Sequence, residues 1–63
     1  MKTKDLQEGK VYQYTGNGES ISVKYVGRDN GGYGFWSHNE DSGNYDGYYN
    51  RLSELSVENQ ISK

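Results

Sequence analysis

Seven tyrosines, one tryptophan and one phenylalanine stand among 63 residues, and cations are interleaved with them. Lys24 lies between Val23 and Tyr25, Arg28 flanks the glycine-rich segment that leads into Tyr33, and Arg51 follows the Tyr48-Tyr49 pair. An aromatic face offers stacking and a nearby cation offers charge-assisted hydrogen bonds, the combination that a nucleobase and its phosphates require. Tyrosine joins a large apolar face to a polar tip, so it serves both core and contact surface. The candidate ligand-binding set is Lys24, Arg28, Tyr33, Trp36, Tyr48, Tyr49 and Arg51. The competing use of the same rings is to cover a small core and glue two copies of the chain together.

Other chemistries have weaker footing. His38, the single histidine, has Ser37, Asp41 and Ser42 nearby, but a nucleophile and its base need side chains about 3 Å apart and an oxyanion site, which adjacency in a loop does not supply. It reads as an exposed residue at a strand end. Glu40, Asp41, Asn44 and Asp46 gather oxygen ligands without the alternating spacing and terminal glutamate of a calcium loop, and read as a solvated acidic loop. Gly31-Gly-Tyr-Gly34 could present backbone N–H groups to a phosphate, yet it lacks the lysine and following helix of a phosphate-binding loop. No catalytic residue, metal site or cofactor is assigned, and the chain is not read as an enzyme.

Composition sets further bounds. One domain spanning 1–63 is expected, with residues 1–5 frayed. The core must be thin, because the aliphatic side chains are few and the aromatic ones must supply much of the packing volume. Domains this small usually need disulfides, metals or self-association; with no cysteine, a homo-oligomer is expected. The absence of cysteine agrees with a reducing, cytoplasmic setting, and no segment reads as a secretory signal or approaches membrane-spanning length. Residues 1–28 carry five basic and three acidic side chains, residues 29–63 two and six. That is the reverse of the basic stripe that general nucleic-acid binding needs.

The elements that must position these residues follow a period of two. Lys10–Thr15 puts Tyr12 and Tyr14 on one face and Val11 and Gln13 on the other. Asn17-Gly18 between two alternating runs marks a tight hairpin. Ser20–Val26 sets Ile21, Val23 and Tyr25 against Ser22 and Lys24. After a second hairpin loop through Asp29–Gly32, Tyr33 and Phe35 share a face opposite Gly34, Trp36 and His38; Gly34 marks a bulge or a place where another backbone or a ligand comes close. A fourth strand is predicted around 45–50, a helical turn at Leu52–Leu55, and a last strand over Val57–Ile61. A short helix across 52–61 is the rival, disfavoured because Leu52, Leu55, Val57 and Ile61 do not form one compact stripe.

Four or five short strands, with one turn before the last, bury both faces best as a strongly bent antiparallel sheet or a small barrel. In the order Lys10–Thr15, Asn17-Gly18, Val23–Gly27, Tyr33–Trp36, Leu52–Leu55 and Val57–Ile61, the chain resembles the small stand-alone SH3-like barrels of bacteria and their phages. The resemblance implies binding rather than a reaction. The proline that peptide-binding members often carry is missing. The expected function is a non-catalytic, oligomeric binder that sequesters a small anionic ligand such as a nucleotide or nucleotide-derived signal. The alternative is an adaptor or inhibitor that docks a tyrosine-rich face with an acidic rim onto a host protein.

Overall fold

The computed structural model describes residues 1–63. Five strands form one antiparallel sheet: β1 at Val11–Gly16, β2 at Glu19–Asp29, β3 at Gly32–Ser37, β4 at Tyr49–Leu52 and β5 at Ile61–Ser62. A helix, α1 at Glu54–Gln60, precedes β5, and a single 3-10 turn covers Thr3–Asp5. The strands lie in the order β4-β3-β2-β1-β5, so the last strand returns to pair with the first. The fold is all-β in its main body, as expected, with one short helix ahead of the final strand.

Two Asn-Gly turns set most of the register. Asn17-Gly18 has φ values of 51° and 78°, and Asn30-Gly31 has 48° and 83°; two consecutive positive φ values give the turn whose twist matches the flanking strands. From the first turn the pairing runs back to Val11 opposite Lys24. The second turn pairs Asp29 with Gly32, and that register carried onward would set Phe35 against Val26 and turn the two strands' apolar residues to opposite faces. One extra residue in β2, between Tyr25 and Gly27, restores the match, so that Tyr25 opposes Phe35. Gly27 takes φ 115° at this bulge, and a Cβ there would stand 3.3 Å from the Glu8 carboxylate. Glycine is what the bulge demands.

The inward face carries Tyr12, Val23, Tyr25 and Phe35, and the C-terminal segment closes over it with Val57 and Ile61. Met1, Leu6, Tyr14, Tyr33 and Leu52 pack around these six. Tyr12 is buried because its hydroxyl has a partner: it accepts the Gln7 backbone N–H at 2.9 Å.

Three expectations are corrected. The fourth strand, expected around 45–50, begins at Tyr49 and runs to Leu52. Ahead of it, one isolated bridge between Asn39 and Asn44 and a set of side-chain bonds take the place of a continuous ladder: Asp41 N–H donates to Asn39 Oδ1, and the Ser42 hydroxyl accepts from Asn44 N–H and donates to Asp46. Short polar residues that bond their own neighbourhood favour such a loop over a strand. The last strand, expected over Val57–Ile61, is helical up to Gln60, leaving Ile61 and Ser62 extended. Ser53 caps this helix by accepting the Ser56 N–H, and Glu54 sits in the first turn, where the helix dipole favours a negative charge. Residues 1–5, expected to be frayed, are tied down, since the Met1 amine donates to the carbonyls of Glu58 and Ile61 at 3.0 and 3.1 Å. No helix is long and apolar enough to cross a membrane.

Candidate functional site on the open face of the sheet

The residues that alternate with the core positions form the other face of the sheet. Val11, Lys24, Trp36 and Tyr49 are consecutive cross-strand partners on β1, β2, β3 and β4. At about 4.8 Å between neighbouring strands they make one row roughly 14 Å long. The Tyr49 and Trp36 rings lie 5.2 Å apart, tilted by 56°. Tyr49 leans over Gly34, where a Cβ would stand 3.1 Å from its Cζ atom. What comes close at Gly34 is this side-chain ring, where another backbone or a ligand was expected.

Tyr49 is held at its far end by a hydrogen bond from its hydroxyl to Asp29 Oδ2 at 2.5 Å. That bond, with some desolvation and the Asp29 charge, raises the phenol above the usual tyrosine value near 10. Protonated Tyr49 is thus favoured by the fold. Any stability it lends is fully present below the unfolded pKa near 10 and is lost as pH rises through the higher folded value. Following the Tyr49 Cζ by NMR through an alkaline titration should find its midpoint above 10, and Asp29→Asn should bring it back toward 10. An unchanged Tyr49 midpoint in that variant would show that the hydrogen bond does not hold the ring.

Arg51 lies on the same face, paired with Gly34 across the ladder. Its Cγ and Cδ atoms come 2.6 and 3.0 Å from where a Cβ on Gly32 would sit, so the arginine stem needs a glycine beneath it. A cleft of about 290 Å³ opens here, between Asn30-Gly31-Gly32 on one side and Arg51-Leu52-Ser53 on the other. The row of rings and the glycine turn therefore meet at Arg51.

Of the seven residues singled out in the sequence, the fold brings Lys24, Trp36, Tyr49 and Arg51 onto one face. Arg28 and Tyr33 are on the other, facing each other across β2 and β3. The Arg28 guanidinium carbon stands 4.4 Å from the centre of the Tyr33 ring, and its Nε donates to the Gly32 carbonyl at 3.0 Å; both groups are engaged within the fold. Tyr48 is 81% exposed, just ahead of β4. Sequence reasoning missed Val11 and Asp29, because each acquires its role only through a cross-strand neighbour.

The remaining candidates lie elsewhere. Ser37 is buried and its Oγ accepts the Tyr48 N–H at 2.8 Å, while the His38 ring packs edge-on against Tyr45 at 5.1 Å. No group of three or more histidine, cysteine, aspartate or glutamate side chains converges as metal ligands would. The largest concavity, an open groove of about 630 Å³, lies beside β1 and is lined in part by Lys4, Lys10 and Lys63, with Asp5 among them. Comparison of the chain with protein-family models, with curated proteins and with solved structures finds no match to any of them.

Proposed function

We propose that this chain is a non-catalytic binding protein that uses the open face of its sheet to hold a compact anionic ligand with a planar ring, a nucleotide or a nucleotide-derived signal. The observation that carries the reading is the convergence of Lys24, Trp36, Tyr49 and Arg51 on that face, with Arg51 beside the cleft at Gly31-Gly32. A base would stack on the Trp36–Tyr49 rings, a contribution of about 1–3 kcal/mol. Lys24 and Arg51 would take the phosphates from either side. Arg51 is the better placed of the two arginines, since Arg28 is already engaged with Tyr33 and Gly32. Removing a signal by binding alone fits a small cytoplasmic domain of the SH3-like type. The return of β5 to β1 behind a short helix supports that resemblance.

Trp36 is the only tryptophan, so its fluorescence reports the platform directly. Titration with a panel of nucleotides should give saturable quenching by at least one of them. Arg51→Ala and Lys24→Ala should each weaken the affinity by about tenfold or more, as expected for a lost charge-assisted hydrogen bond of about 1.5–3 kcal/mol. Quenching absent at millimolar nucleotide, or undiminished in both variants, would rule this ligand class out.

The alternative, docking onto a host protein, is favoured by the openness of the same face and by the 81% exposure of Tyr48. Tyrosine, tryptophan and arginine dominate such interfaces. The same variants would then impair capture of a protein partner while nucleotides left Trp36 unchanged.

A further inference from the structure

β4 is an edge strand, and the direction of its backbone groups follows from two hydrogen bonds. Ser37 N–H donates to the Tyr48 carbonyl at 2.9 Å and the Ser37 carbonyl accepts the Gly47 N–H at 3.0 Å, so Ser37 turns its backbone groups toward the β4 side and is hydrogen-bonded there through a bulge at Gly47-Tyr48. Hydrogen-bonded positions alternate along an antiparallel ladder. Phe35 with Asn50 and Tyr33 with Leu52 are the next hydrogen-bonded pairs in this register. Tyr49 and Arg51 therefore turn their N–H and C=O groups away from β3, toward the side where the sheet has no further strand. Apart from its shortness, four residues, this edge has few of the usual protections: Tyr49–Leu52 contains no proline and one charge, Arg51.

We propose that this edge pairs with the same edge of a second copy, antiparallel, about a two-fold axis at Asn50. Only outward-facing residues can exchange hydrogen bonds, which leaves three central registers. Centring on Arg51 would set two guanidinium groups directly opposite each other, a destabilising like-charge pair. Centring on Tyr49 would place Arg51 opposite Gly47, outside the strand. Centring on Asn50 sets Tyr49 opposite Arg51 of the other copy, and Arg51 opposite that copy's Tyr49. Both of these pairs exchange two backbone hydrogen bonds.

The side chains agree with that register. Tyr49 and Arg51 are on the same, open face of the sheet, so each ring meets a guanidinium from the other copy, and cation and aromatic face attract. The contact is isologous and closed, as two-fold association requires. It also joins the two rows of rings, with one copy's Arg51 standing beside the other's Tyr49. The backbone hydrogen bonds of the pairing use main-chain groups that ligand binding does not need, so the pairing stands whether or not the platform takes a nucleotide; the Tyr49 and Arg51 side chains are what the two sites share.

The test uses the whole chain, made by chemical synthesis with the Arg51 amide nitrogen methylated. In the monomer that N–H faces solvent, so methylation should leave the sheet intact by circular dichroism. Native mass spectrometry and sedimentation from micromolar to millimolar concentration should find a dimer of the unmodified chain, with dissociation at least about tenfold weaker after methylation. A chain that stays monomeric at millimolar concentration, or a dimer that methylation does not weaken, would overturn the proposal. If the methylated chain does not fold, isotope-filtered NMR on a mixture of labelled and unlabelled native chains decides. Cross-peaks between the Tyr49 ring of one copy and the Arg51 side chain of the other are expected, and a dimer without them refutes the register.

Discussion

Phe35→Ala is expected to leave most of the chain unfolded at 25 °C. Phe35 has no exposed surface, packs its ring 5.2 Å from that of Tyr25, and sits on the strand between β2 and β4. Six side chains make up the buried apolar core and only five partly buried ones edge it, so little material is available to collapse into the space. Truncating a buried phenylalanine costs about 3–5 kcal/mol. A chain of this length has a total stability of roughly 3–9 kcal/mol at the usual value per residue. The loss is thus comparable to the whole. Thermal and urea unfolding followed by circular dichroism should find either no cooperative transition or a Tm lowered by more than about 12 °C. A variant melting within about 4 °C of the parent would mean that Phe35 does not anchor the sheet.

How much of this was legible in the sequence depends on how each register is set. Two-residue Asn-Gly turns fix β1 against β2 and begin β2 against β3, so the alternation of Tyr12, Val23, Tyr25 and Phe35 toward the core could be read directly. The bulge between Tyr25 and Gly27 was not foreseen: the second run was expected to end at Val26 and a bulge or close approach was expected at Gly34, whereas the extra residue sits beside Gly27 and lets β2 continue to Asp29. The β3–β4 register has no such rule. Residues 38–48 join those strands through an irregular mix of turn, bridge and side-chain hydrogen bonds that spacing does not reveal, and so the fourth strand was expected too early. The site inherits this limit: Lys24 and Trp36 could be placed on one face, but Tyr49 and Arg51 join them only through the β4 pairing. Arg28 is placed away from the platform for a related reason, because the residues after the bulge change face and it meets Tyr33 instead.

The helix at the C-terminus carries the other large effect. Read as a strand, Val57–Ile61 would point Val57, Asn59 and Ile61 to one side. Read as a helix, Val57 and Ile61, four apart, share a side without Asn59. The fold takes the second course: Val57 has no exposed surface, Asn59 is exposed, and Leu55, which spoils a continuous apolar stripe, is 67% exposed. The stripe could be narrow because Leu52 serves the core from β4 instead.

Val57→Asp should therefore detach α1 and, with it, the β5 pairing to Gln13 and Tyr14. An unpaired carboxylate in that position carries a penalty of several kcal/mol. Leu55→Asp, with the same chemistry two residues away, should alter stability by no more than about 0.5 kcal/mol. Burial would raise the pKa of the carboxyl introduced at 57 above its unfolded value near 3.9. By linkage its neutral form would be tolerated best below that pH, and the deficit against the parent should widen as pH rises through the folded pKa. Urea unfolding of both variants across acid and neutral pH reads the difference. Equal loss at 55 and 57 would mean that the segment does not dock as a helix, while a loss at 57 alone fixes which side of α1 meets the sheet.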